Sequence, residues 1–159
     1  MIKNMNIKKI GSVVILVAGL LTVASPAFAL DLSKVQVKFS DNINKDCLNV
    51  EAYDLLWGCF KNNFVPWAGH PDLKPEPVIY IQNGLPAGLF PYVFLYNLSQ
   101  YVTLSYSDQE LAEVFNPAPT TGNSTIDIRR DAASAFTFWV MGGKLTPAKA
   151  DFFRDALMK

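Results

Sequence analysis

One histidine, His70, stands in 159 residues. Sites that need several imidazoles, whether a multi-histidine zinc centre or a relay of rings, cannot be assembled from this chain. Cysteine is almost as scarce, with Cys47 and Cys59 the two thiols present. Positive charge is not in excess either: 14 basic residues face 14 acidic ones. Without a basic field to collect phosphates, nucleic acid is excluded as the natural partner. No G-x-S-x-G elbow and no glycine-rich phosphate loop is present, which removes the serine hydrolases and nucleotide-binding folds that rely on them. Carboxylates such as Glu51, Asp54 and Glu76 are not paired by any pattern that would set two across a cleft, as a glycosidase needs.

Long apolar runs are also missing. The stretch from Val13 to Ala24 falls short of the roughly 20 residues that a membrane-spanning helix requires. It has another reading. Lys3, Lys8 and Lys9 precede it, and Ser25-Pro26-Ala27-Phe28-Ala29 follows it, the three-part layout of a secretory signal cleaved after Ala29. Residues 1–29 are therefore expected to be a signal peptide, 30–159 a single globular domain, and the product periplasmic or secreted with no membrane span. Removal of three lysines leaves the acidic residues in the majority by three. In an oxidising compartment an even cysteine count favours a Cys47–Cys59 bridge. Closing so short a loop adds about 3 kcal/mol in the chain-entropy model.

Along the chain, Val35-Gln36-Val37-Lys38-Phe39 alternates at period two and predicts a half-buried strand. Leu48, Ala52, Leu55, Leu56, Cys59 and Phe60 recur at helical steps and predict a helix over Leu48 to Phe60. On a regular helix Cys47 and Cys59 would be roughly 18 Å apart, so the bridge requires that helix to break or the approach to curl back. Phe64 to Pro77, rich in Pro, Gly and Trp and containing His70, predicts a loop. Val78 to Gln82 is the best strand, ended by Asn83-Gly84. A buried helix is expected from Pro91 to Thr103, a short one over Asp108 to Phe115, a long one over Ile126 to Met141 capped by Ser124 or Thr125, and a last one opened by Thr146-Pro147. The expected class is α+β: one helix-dominated domain with a small sheet.

The order strand, buried helix, short helix, second long helix resembles the zincin metallopeptidases, of the minigluzincin type. The likeness covers Val78 to Leu157. In that family a helix after an edge strand bears HExxH, and a later helix supplies an acidic ligand. By that resemblance Tyr96 stands at the first ligand position, Asn97 at the general base and Gln100 at the second ligand. Asp131 matches the acidic ligand, and Ser134 the residue that orients the site. Gly142-Gly143 and Thr146-Pro147 are similar to the family's helix end and restart. The framing residues are kept and the chemistry is not. A phenol with a pKa of about 10 and two neutral amides do not replace two imidazoles and a base. The resemblance thus implies a vestigial site of Tyr96, Asn97, Gln100, Asp131 and Ser134 that holds no metal and no cofactor, on a protein that is not an enzyme.

The same residues have a plain reading. Tyr96 and Gln100, at i and i+4, can serve helix packing, and an acidic Asp131 early in a helix is favoured by the dipole. A Cys–His nucleophile from Cys47 or Cys59 with His70 would need an unbridged thiol. Aromatics crowd the middle of the chain, and Trp67, within the proline-rich segment, is the residue expected to meet a partner. The function expected is therefore an exported, non-catalytic interaction protein that binds a protein or peptide. The alternative is an unrelated small periplasmic α+β accessory protein of an envelope assembly.

Overall fold

The segment richest in β-branched and aromatic residues, Val78 to Gln82, is strand, and it is the end of a longer one. In a computed structural model of the chain, which describes residues 34–47, 57–67 and 70–158, the side chains of 63–67 and 70–75 excepted, the elements are β1 (Gln36–Ser40), α1 (Ile43–Asp46), β2 (Gly58–Trp67), β3 (His70–Gln82), α2 (Phe90–Val102), α3 (Asp108–Val114), α4 (Ser124–Val140) and α5 (Pro147–Met158). The expected signal segment and most of the expected helix over 48–60 lie outside the described residues. The chain is α+β, with a three-stranded sheet and a helical majority.

The strand order is β1-β3-β2. β1 runs parallel to β3 from Gln36↔Val78 to Ser40↔Gln82, and β2 runs antiparallel to it from Gly58↔Ile81 to Trp67↔His70. Because β3 has 13 residues and β1 has 5, the first half of β3 pairs with β2 alone. That half extends past the three-stranded part as a two-stranded arm. Val37 and Phe39 alternate inward as their period-two pattern requires, joining Phe60, Ile79 and Ile81 against Leu95, Leu98 and Val102 of α2. On the far side of the core, α4 and α5 contribute Phe136, Trp139 and Phe153, and Phe115 follows α3. Phe136 and Phe153 meet edge to face at 5.2 Å, and Trp139 stacks on Phe153 at 5.8 Å.

Two expectations are overturned. Gly58, Cys59 and Phe60 are strand, where helix was expected through Phe60. Cys59 and Phe60 are adjacent and both buried. A strand covered on both faces produces an apolar run that a three-to-four-residue spacing imitates. The proline-rich stretch from Phe64 to Pro77 is likewise paired strand, not loop. Its prolines are tolerated because no strand among the described residues pairs with the outer edges of the arm, where no N–H is needed. The step from Pro66↔Leu73 to Trp67↔His70 leaves Pro71 and Asp72 as a bulge.

The helices end as local chemistry dictates, with one shift. Ser107 and Glu110 close a capping box at the start of α3. At α4 the cap is Asn123, whose Oδ1 accepts from the Ile126 N–H at 3.2 Å, not Ser124 or Thr125. The Thr125 hydroxyl is taken by Asp108 at 3.1 Å, and the preceding loop folds back on α4, so the helix starts earlier. Gly142, at φ 91°, ends α4: its N–H bonds Trp139 O at 3.0 Å and the Gly143 N–H bonds Phe138 O at 2.8 Å. That double bond pattern needs a left-handed residue, which glycine supplies without strain.

Cys47 and Cys59 are joined, with Cα atoms 5.9 Å apart. The obstacle of a long helix between them does not arise, because Cys47 caps the one-turn α1 while Cys59 lies at the start of β2. The bridge ties the β1–α1 end of the sheet to the strand on its opposite edge. Replacing both residues in Cys47→Ala/Cys59→Ala is expected to lower unfolding stability by about 3 kcal/mol, measured by denaturant titration. Truncating one core ring, as in Phe153→Ala, is expected to cost about 3–5 kcal/mol in the same assay. An order of effects in which the bridge outweighs the ring would contradict this account of the core.

Candidate functional site

α2 is the buried helix, started by Pro91 in its first turn and apolar on most of its surface, and it lies between the sheet and α4. At its middle it presses on β2 so closely that a Cβ on Gly58 would stand 2.6 Å from Val93 Cγ1 and 2.9 Å from the Tyr80 carbonyl oxygen. Real side chains do not pack at such distances, and the backbone oxygen has little freedom to yield. Glycine at 58 is therefore what lets the helix and the edge strand meet.

Asn97 lies at this contact. It is 1% exposed, its Nδ2 would be 3.0 Å from that same Cβ, and it donates to the Val93 carbonyl at 2.8 Å. An amide satisfied by its own helix is a quiet group: it carries no charge and takes no proton. Tyr96 and Gln100 are half-buried on the same helix. α4 packs against α2 and brings Asp131 and Ser134, which differ in surroundings. Asp131 accepts from Lys149 of α5 at 2.7 Å, so its charge is already matched within the fold. Lys149 also stands 5.2 Å from the Phe115 ring centre. Ser134 is exposed to solvent. Among the described residues no group of three or more His, Cys, Asp or Glu is placed to hold a metal ion.

The partner-binding residue expected from sequence, Trp67, ends β2 opposite His70; its side chain lies outside the described residues. Of the other aromatics, Phe60 anchors the core and tilts against Tyr101 at 6.1 Å, and Phe90 stacks on both Phe39 and Phe94. Trp57 and Tyr92 are exposed. No helix among the described residues is long and apolar enough to cross a membrane.

The two edges of the arm differ. The Gln82 N–H bonds Trp57 O at 2.8 Å, and the Asn83 N–H bonds Ser40 O at 2.7 Å. Even-numbered residues of β3 thus aim their N–H at β2 and odd-numbered ones aim away from it. Pro75 and Pro77 are odd, so the free edge of β3 beyond β1 shows imide nitrogens in place of donors. On β2 the same alternation, carried through the register, turns the backbone of Phe60, Asn62 and Phe64 outward. Among the described residues no strand pairs with that edge. The period-two spacing of the two prolines was visible in the sequence, but its meaning depends on which neighbour β3 has on each side. The side-chain Oδ1 of Asn62 is buried without a hydrogen-bond partner.

No protein-family model, no curated protein and no solved structure matches this chain.

A different polar cluster, absent from the sequence reading, holds the α4 start. Asp127 is 3% exposed and takes the Thr120 hydroxyl at 2.7 Å, the Thr120 N–H at 3.0 Å and the Thr121 N–H at 3.2 Å. These bonds, the Thr120 hydroxyl foremost, hold its carboxyl at about 2, below the ordinary 3.8, against an opposing push from burial. A depressed folded-state value means that the contribution to stability is complete above 3.8 and is lost as the pH falls through about 2. Asp127→Asn is therefore expected to lower Tm at neutral pH. The gap from the parent should narrow as the medium is acidified toward 2, followed by thermal unfolding across pH. A gap that stays constant through this range would remove Asp127 as the cause.

Proposed function

We propose that the chain is an exported, non-catalytic interaction domain, an inactive relative of the zincin peptidases, which binds an extended peptide segment of a partner along the outer edge of β2. The observation that carries this reading is the asymmetry of the arm. One edge is closed by Pro75 and Pro77, while the other offers the backbone of Phe60, Asn62 and Phe64 to an added strand. Exposed strand edges are blunted where pairing is harmful. An edge that no described strand pairs with, beside one that is blocked, can recruit a strand from one direction. Export is supported by the Cys47–Cys59 bridge, which persists in oxidising compartments.

The peptidase ancestry is supported by the placement of the replaced residues. The helix carrying Tyr96, Asn97 and Gln100 packs against the helix carrying Asp131 and against β2. Loss of chemistry is supported by what those residues now do: Asn97 bonds its own helix and Asp131 is neutralised by Lys149. The strand before that helix, β3, is flanked by β1 and β2 over Val78 to Gln82, so the edge proposed for the peptide belongs to β2, outside the stretch that the resemblance covers.

Two measurements test the two halves separately. Octapeptides selected from a randomised library against the mature protein are expected to slow amide exchange at Phe60, Asn62 and Phe64. Asn62→Pro, which removes one outward N–H without breaking the β2–β3 ladder, is expected to weaken them about tenfold or more, as loss of strand hydrogen bonds to a bound peptide implies. Selected peptides that protect none of these amides would defeat the strand-addition reading. For the ancestry, Tyr96→His/Gln100→His is expected to bind one zinc per chain with Asp131, measured by metal analysis after dialysis; a folded variant without zinc counts against kinship and leaves the β2 edge untouched.

A further inference from the structure

Between the turn after α2 and the outer side of α5 lies an open cleft of about 380 Å³ lined by Tyr106, Phe152, Asp155 and Met158. Tyr106 and Phe152 form one wall, their rings 4.8 Å apart and inclined at 52°. Met158, 52% exposed, adds a polarizable thioether. Asp155 gives the cleft its charge.

The other aspartates of the helical half are already engaged. Asp108 is held by Arg129, Asp131 by Lys149, Asp151 by Arg154, and Asp127 by the threonines of the preceding loop. Asp155 has no hydrogen bond or ion pair among the described residues. The adjacent residue, Arg154, is engaged with Asp151. Two aromatic faces attract a cation through their quadrupoles, and a carboxylate at their side completes the complement. A planar guanidinium suits this combination better than a compact, strongly hydrated ammonium, because it stacks on rings while its N–H fork meets a carboxylate.

We propose that this cleft binds the side chain of an arginine presented by a partner peptide, the guanidinium lying against Tyr106 and Phe152 and donating to Asp155. The probe is Nα-acetyl-L-arginine methylamide, with the citrulline derivative as its uncharged isostere, titrated into the mature protein and followed by NMR at the Met158 methyl and the Tyr106 and Phe152 rings. Saturable shifts are expected at millimolar arginine probe and not with citrulline. Asp155→Asn, at an exposed position that does not disturb the core, is expected to weaken the arginine probe about fivefold, as loss of a partly exposed ion pair implies. Equal shifts from the two probes, no saturable shift, or full binding by Asp155→Asn would each overturn the proposal. No strand-forming peptide is used, so the outcome is independent of the β2 edge.

Discussion

Pairing of β3 on both sides over its final five residues is the constraint on which the rest of the molecule depends. Val78, Ile79 and Ile81 are fully buried there, with β1 parallel on one side and β2 antiparallel on the other. The parallel neighbour precedes β3 in sequence and the antiparallel one is its hairpin partner. The chain has therefore crossed from the β1 edge to the β2 edge between Ser40 and Cys47, whose Cα lies 5.9 Å from that of Cys59 in β2. The disulfide fixes the end of that crossing. Once the sheet is fixed, α2 is fixed with it, since Gly58 admits the helix to van der Waals contact with the strand.

The arm beyond this three-stranded region shows how prolines can direct association as well as limit it. A proline inside a central strand would cost a ladder hydrogen bond. At positions 75 and 77 of β3 none is lost, because the nitrogens face away from β2. The same residues prevent that edge from recruiting another strand. Opposite them no strand among the described residues pairs with β2, and the difference between the two edges is a property of backbone direction, not of hydrophobicity.

Polar groups of the helical half are mostly spent on holding it together. Arg129 donates to Asp108 at 2.8 Å and to the Tyr106 carbonyl at 3.2 Å, tying the turn after α2 and the start of α3 to α4. Lys149 joins α5 to α4 through Asp131. Such partly exposed pairs contribute at most about 1 kcal/mol each, far less than the ring cluster beneath them. Their larger effect is to use up charges that would otherwise bind something else. A residue such as Asp155, with no partner among the described residues and beside an aromatic cleft, stands out against them.

Elements whose evidence is local were legible in the sequence: the strand at Val78 to Gln82, the buried helix after Pro91, the Gly142 stop and the Pro147 start each follow from propensity or backbone chemistry within a few residues. The segment around Cys59 was misread because burial on both faces erases the difference between strand and helix periods, and the proline-rich arm because proline argues against central strands but not against edges. Tyr96, Asn97, Gln100, Asp131 and Ser134 were picked out as a pattern, whereas the burial of Asn97, the exposure of Ser134 and the capture of Asp131 by Lys149, 18 residues on, are set by the tertiary fold. The sequence by itself determined which stretches could be helix and that two cysteines were available to pair. Only the tertiary structure decided which edge of the arm carries the imide nitrogens and which aspartate of the helical half has no partner among the described residues, because hydrogen-bond direction and charge matching are set by what stands across the gap.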